Sequence, residues 1–311
     1  MTIGVRVRGL ATAIAARPRL TAFLAAVSIS FSGVLYLYSD TSPETASFFR
    51  GLYGLPILFL AAFAERKTAR PMNRKAVGWA IVAGVLFAGD LIFWHHTIEY
   101  VGAGLATVLG NLQVVIVGLA TWLLFGERLN RRTLIALPIM LVGVALIAGV
   151  LTGEAYGIDP PLGVFLGILT AFSYAGYLIV IRRIGRGRLA LPVAISTTST
   201  TIVSLVIGVA IGTMQFGISL NQHFWLLLLG VSAQALGYLF ISYSLPRLPA
   251  VVTSIILLTQ PVIAVFLSII LVNETPSVEQ LGGVALVIGG IALATVTVRR
   301  PSRRSVAVTA P

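Results

Sequence analysis

The sequence has no cysteine. Disulfides, thiolate metal sites and cysteine nucleophiles are therefore excluded. Charge is nearly as scarce: 10% of the 311 residues are Asp, Glu, Lys or Arg, against about 25% in soluble domains, which excludes an ordinary globular enzyme. The three histidines and ten carboxylates form no Asp-rich metal motif and no H-E-x-x-H pair. No nucleotide-binding motif occurs, which excludes ATP drive within this chain. "GAGLAT" (102–107) imitates part of a dinucleotide fingerprint, but it opens an apolar run with no strand before it. Close helix packing explains its small residues better. No metal and no cofactor is expected.

What is abundant is apolar. Hydrophobic residues make up 57% of the chain, and mean hydropathy is +0.97. Runs of about 20 apolar residues, each long enough to cross a bilayer, recur along almost the whole length. The expected fold class is all-α integral membrane, with ten transmembrane helices. The spans fall at roughly 20–38, 45–64, 76–96, 103–125, 131–150, 161–181, 191–211, 223–244, 249–272 and 278–298. Residues 17–38 also have the form of a signal peptide; an uncleaved first span is preferred because the topology needs it.

The loop charges test that count. With the N-terminus in the cytoplasm, the inner segments hold Arg6, Arg8, Arg17 and Arg19, then Arg66, Lys67, Arg70, Arg74 and Lys75, then Arg128, Arg131 and Arg132. Arg182, Arg183, Arg186, Arg188 and Arg247 follow, and finally Arg299, Arg300, Arg303 and Arg304. That is 21 of the 22 basic residues. The outer loops hold none, but hold Asp40, Glu44, Glu99, Glu154, Asp159, Glu274 and Glu279. The positive-inside rule then puts both termini in the cytoplasm and accounts for the net charge of +12 without a nucleic-acid partner.

The chain also repeats itself. Shifted by 147 residues, "NLQVVIVGLATWLLFGERLNRRTLIALPIMLVGVAL" falls on "LTQPVIAVFLSIILVNETPSVEQLGGVALVIGGIAL", aligning Gln113 with Gln260, Glu127 with Glu274 and Gly143 with Gly290. Five helices per half is an odd number, so the second half is inserted upside down. The units expected are a first five-helix repeat (1–150), a second, inverted five-helix repeat (151–298) and a basic cytoplasmic tail (299–311). Inverted repeats of this kind are a transporter signature, because two such halves can rock about a central site.

These features carry a family resemblance. Ten spans in two inverted halves, with "LQVVIVGLATWLLFGERLNRRTLIALPIMLVGVAL" over the fourth and fifth, resemble the drug/metabolite transporter superfamily in its EamA-type permease branch. "SPETASFFR" resembles that family's start of helix two, and "DLIFWHHTIEYVGAGLATVLGNLQ" its helix three-to-four signature. Val114 stands where the family has Pro after Gln113, and "VNETPS" is a loose version of "GERLN". The resemblance covers nearly the whole chain and implies a small-molecule permease of the bacterial inner membrane, with no substrate specified.

Within the spans charge is rare, and depth groups what there is. Arg50 lies about 8 Å below the outer end of the second span, Asp90 about 9 Å below that of the third, and Asn111 about 12 Å down the fourth. The three could build a substrate pocket; Arg50 and Asp90 could equally form a buried structural ion pair. Helical spacing gathers Phe87, Phe93, Trp94 and Thr97 on the face of Asp90, with His95 turned about 140° away. An acid among aromatic rings suits an amino-group ligand or a proton. The histidines and acids do not converge as metal ligands. In the second half Gln234, Tyr238 and Ser242 share a helix face opposite, and Tyr174, Tyr177 and Tyr36 could complete an aromatic wall.

The expectation is a secondary active transporter that exports small metabolites such as amino acids, amines or drugs by alternating access. Asp90 is its expected centre, binding substrate nitrogen or a coupling proton, with Arg50 as resting partner. No catalysis is expected, and the reading is compatible with a monomer without fixing the oligomeric state. The alternatives are a polytopic membrane enzyme acting on a lipid or isoprenoid, and a passive channel.

Overall fold

The computed structural model of the protein describes residues 17–66, 71–125, 131–149, 155–184, 188–244, 247–248 and 250–295. Every regular element among them is helical. α1 (Pro18–Ser30) passes through a turn at Phe31 into α2 (Ser32–Ser39). α3 (Pro43–Glu65) starts where the Ser42 hydroxyl accepts from the Thr45 N–H, and Pro43 pre-sets its first turn. α4 (Arg74–Val101) is capped by Asn73 and ends at Gly102. α5 (Ala103–Gly110) and α6 (Gln113–Phe125) are separated by a break at Asn111 and Leu112, and α7 (Arg131–Ile147) follows.

The second half runs α8 (Pro160–Ile184), α9 (Ala190–Ala210), α10 (Leu220–Leu229), a π-helical stretch Gly230–Gly237, α11 (Tyr238–Ser244), α12 (Ala250–Val272) and α13 (Val278–Thr295). Among the described residues, eight helical runs are long and apolar enough to cross a membrane, against the ten expected. α7 falls short at 17 residues, and α12 adds a shorter apolar stretch, Ile256–Val272. The tail 299–311 lies outside the described residues, as do Arg6, Arg8, Glu127, Glu154 and Arg186.

Two expectations about helix ends are corrected. The third span does not stop at residue 96: α4 continues to Val101, so His96 and Glu99 are helical. What ends it is Gly102, whose φ of +88° suits only a residue without Cβ. Glu44, read as an outer-loop charge, sits in the first turn of α3 and is completely buried. The π-helical stretch has no signal in the sequence, since its residues, GVSAQALG, are those of an ordinary membrane helix.

The elements pack as a bundle in which α4 lies along α8, α7 along α13, and α9 against both α3 and α4. α12 covers α1 and α5. Phe63, Leu123, Phe172, Ile202 and Phe266 point outward, as expected of a surface solvated by lipid chains. α7 and α13 pack closely at Gly143 and Gly283, where an added Cβ on either would meet the other's carbonyl oxygen at 2.8 or 2.5 Å. At one end of the bundle, the Asp40 end, α2 and α4 finish and α3 begins. At the other, the Arg247 end, α11 finishes and α12 begins.

Candidate functional site

A cavity of about 300 Å³ lies inside the bundle. α3 contributes Arg50, α4 contributes Asp90 and Trp94, the α5–α6 break contributes Asn111, α8 contributes Tyr174 and α11 contributes Tyr238. From the level of Arg50 and Asp90 it runs toward the Arg247 end, past Leu178, Ile241 and Thr295. Toward the Asp40 end the bundle is filled: Tyr36, Glu44, His95 and Val101 are all buried.

Arg50 and Asp90 share this wall and act on one another electrostatically, but no contact of ion-pair length joins them. Arg50 has another partner. Its Nε donates to Gln234 Oε1 at 3.1 Å, and Gln234 is held in turn by donating to Thr197 Oγ1 at 2.9 Å. Gln234 belongs to the π-helical stretch, and Thr197 to α9. The guanidinium carbon also lies 5.9 Å from the Trp94 ring centroid, a cation–π distance. Asp90 is 7% exposed, and among the described residues its carboxylate accepts no hydrogen bond. An ionisable group so buried is costly without a partner. The cavity therefore presents one unpaired carboxylate beside a guanidinium whose terminal amino groups are free to donate.

The other expected site residues stand behind this wall. Tyr177 is buried in a stack with Phe87 (4.6 Å between centroids) and Tyr174 (5.8 Å), and Phe87 meets Tyr238 edge-on at 5.2 Å. These rings fix Tyr174 and Tyr238 at the cavity face. His95 is fully buried away from the cavity: its Nδ1 lies 2.9 Å from Ser47 Oγ. The Ser47 hydroxyl donates to the Pro43 carbonyl, so the imidazole is the donor in that contact and Nε2 is left as an unmatched acceptor. Tyr36 does not join the aromatic wall; it stacks on His95 at 4.2 Å and donates to Glu99.

Six polar residues of the lining, Ser32, Thr107, Gln113, Thr170, Gln260 and Thr295, are not among the site residues expected from the sequence. For two of them the signal was present: Gln113 and Gln260 occupy the same register across the 147-residue shift. Thr107 and Thr170 look like ordinary small residues of an apolar helix, and nothing in the sequence separates them.

The EamA-like transporter family matches residues 18–149 and, separately, 161–296. An uncharacterized transporter of Archaeoglobus fulgidus is 25% identical over 253 residues, covering 80% of this chain and 86% of its own. The uncharacterized transporter YdfC of Bacillus subtilis is 24% identical over 276 residues, 88% of this chain and 89% of its own. The pseudopaline exporter CntI of Pseudomonas aeruginosa is 25% identical over 167 residues, 53% of this chain and 56% of its own. A solved crystal structure superposes with a TM-score of 0.63 at 18% identity, covering 90% of this chain and 96% of that one, a likeness of fold alone.

Proposed function

The chain belongs to the EamA-like transporter family, and on that premise we propose that this multi-pass membrane transporter is a secondary active exporter of small metabolites bearing an amino group. Substrate binds between Asp90, Arg50 and the rings of Trp94, Tyr174 and Tyr238. The observation that carries this reading is the buried Asp90 carboxylate, unpaired among the described residues and facing the cavity. A primary amine or a coupling proton neutralises it, and the free guanidinium amino groups suit a substrate carboxylate. Amino acids and other zwitterions therefore fit better than amines alone. A polytopic enzyme and a passive channel remain the rivals, and the counterflow experiment below separates them.

The mechanism proposed is alternating access by ten spans in two inverted halves, 1–150 and 151–298, with both termini and the 299–311 tail in the cytoplasm. Packing supports it. Gly143 on α7 faces Gly283 on α13, while Gly290 on α13 faces Ala136 and Met140 on α7. The shift of 147 residues that turns Ala136 into Gly283 and Gly143 into Gly290 exchanges these two contacts. Positive-inside orientation puts the Arg247 end in the cytoplasm, so the cavity faces inward, the loading state of an exporter. The relative named as a pseudopaline exporter supports that direction. The membrane proposed is a bacterial inner membrane, and one chain encloses the cavity by itself.

Two tests follow from this arrangement. Cysteines placed at Ser42 and Ser277 should react in intact cells with an impermeant thiol reagent, while one at Ala69, outside the described residues, should not; labelling at Ala69 contradicts the orientation. Trp94→Ala and Tyr238→Ala, from the two halves, should each weaken substrate binding by roughly tenfold, the loss of one buried aromatic contact. Chromatographic behaviour should be unchanged. Unaltered binding in both variants moves the site away from this wall.

A further inference from the structure

At the Asp40 end, away from the cavity, one imidazole ties several elements together. His96 on α4 places Nε2 3.1 Å from Glu44 Oε1 on α3, and Nδ1 3.2 Å from Glu99 Oε2 one turn along α4. The second oxygen of Glu44 accepts from Thr213 Oγ1 at 2.8 Å, in the connection between α9 and α10. The second oxygen of Glu99 accepts from the Tyr36 hydroxyl of α2 at 3.0 Å. A neutral imidazole has one N–H, so it can donate to one carboxylate only and turns a lone pair on the other. The imidazolium donates to both. The geometry therefore fits the protonated ring.

We propose that His96 is a proton-binding site separate from the substrate cavity, and that its protonated form latches the Asp40 end shut. Protons reach it from water: the side chains of His96 and Glu99 are 32% and 40% exposed, whereas that of Glu44 is 1% exposed. The titratable and charged groups facing the cluster are Tyr36 from α2 and Asp40 just after it, Glu44 and the more distant Arg50 from α3, and His95 and Glu99 from α4. The Thr213 connection, 211–219, adds none. Loss of the proton leaves two carboxylates against a ring that can serve only one of them, which weakens the tie between the start of α3 and α4 and leaves the Ser47–His95 contact to hold it. The end thus opens as pH rises. This inference is independent of the substrate and of the orientation in the membrane.

The absence of native cysteine makes the test direct. Ser47→Cys places one thiol on α3, a turn inside Glu44 at a fully buried position. Val278→Cys places another at the exposed start of α13. The purified full-length proteins in detergent are treated with a charged methanethiosulfonate reagent between about pH 5.5 and pH 8.5, the range in which an imidazole titrates. The ratio of the two rates removes the ionisation common to both thiols, and the His96→Gln background removes any difference between them. It should rise roughly tenfold across this range, the effect of losing one or two charge-assisted hydrogen bonds on an opening equilibrium. In a His96→Gln background it should be flat. In a Glu99→Gln background the rise should move to lower pH. A flat ratio in the parent, or a rise that persists in folded His96→Gln protein, overturns the proposal. Should His96→Gln not fold, an unmoved rise in Glu99→Gln overturns it equally.

Discussion

Asp90→Asn is expected to leave the protein folded and to lower transport by roughly 100-fold, the scale of a lost charge-assisted contact to substrate. The two halves of that statement rest on one observation. The Asp90 carboxylate makes no ion-pair contact or hydrogen bond among the described residues, so an isosteric amide breaks no contact, and relief of the buried charge offsets the lost attraction of Arg50. Had Asp90 been half of a structural pair with Arg50, breaking it would cost about 3–5 kcal/mol. Thermal melting in detergent, beside flux in vesicles, separates the cases. A steep drop in melting temperature with flux retained per folded molecule makes Asp90 structural. Exchanging the charges, Asp90→Arg with Arg50→Asp, should give a folded protein without transport, because Gln234 and Trp94 hold a guanidinium at one position only.

The contrasting buried carboxylate is Glu274, and its loss should destabilise the fold by about 3 kcal/mol, because two backbone donors lose their acceptor. Glu274 is 2% exposed. It accepts from the Ala103 N–H at 2.6 Å and the Gly104 N–H at 3.3 Å, the first turn of α5. An anion at a helix N-terminus satisfies donors that the helix itself cannot. Gly102 is shaped to this contact, since a Cβ there would lie 2.7 Å from the carboxylate. Glu274→Ala should melt at markedly lower temperature, Glu274→Gln at an intermediate one, with transport per folded molecule retained in both. A Glu274→Ala protein as stable as the parent contradicts the capping role.

Glu274 also marks what a sequence can say. In the sequence it is one of seven acids expected in outer loops, a reading silent on burial. Glu44 was read the same way, and its burial depends on His96 and Thr213, residues 52 and 169 positions away. The apolar runs were legible because a membrane-crossing helix must satisfy its backbone internally and clothe itself in hydrocarbon. Their ends were less so: "HHTIEY" is polar enough to resemble a loop, and only the backbone geometry of Gly102 decides where α4 stops. At the site, depth arithmetic grouped Arg50, Asp90 and Asn111, which lie in one cavity wall. It paired opposite charges by default. The actual partner of Arg50 is Gln234, brought within 3.1 Å from the π-helical stretch 184 residues away, and no periodicity in the sequence announces that stretch.

The central claim is that the Asp90–Arg50 cavity carries substrate across the membrane by alternating access. Counterflow in proteoliposomes tests it most directly, with a single cysteine at Gln113, which lines the cavity. Vesicles loaded with one of a panel of amino acids, amines and neutral metabolites are offered the same compound at trace level outside, labelled. The account predicts transient accumulation of the tracer for a zwitterionic member of the panel, abolished when the Gln113→Cys thiol is modified by a bulky reagent and protected when that compound is present. Simple downhill equilibration with no counterflow, or counterflow that modification at Gln113→Cys leaves untouched, would contradict it.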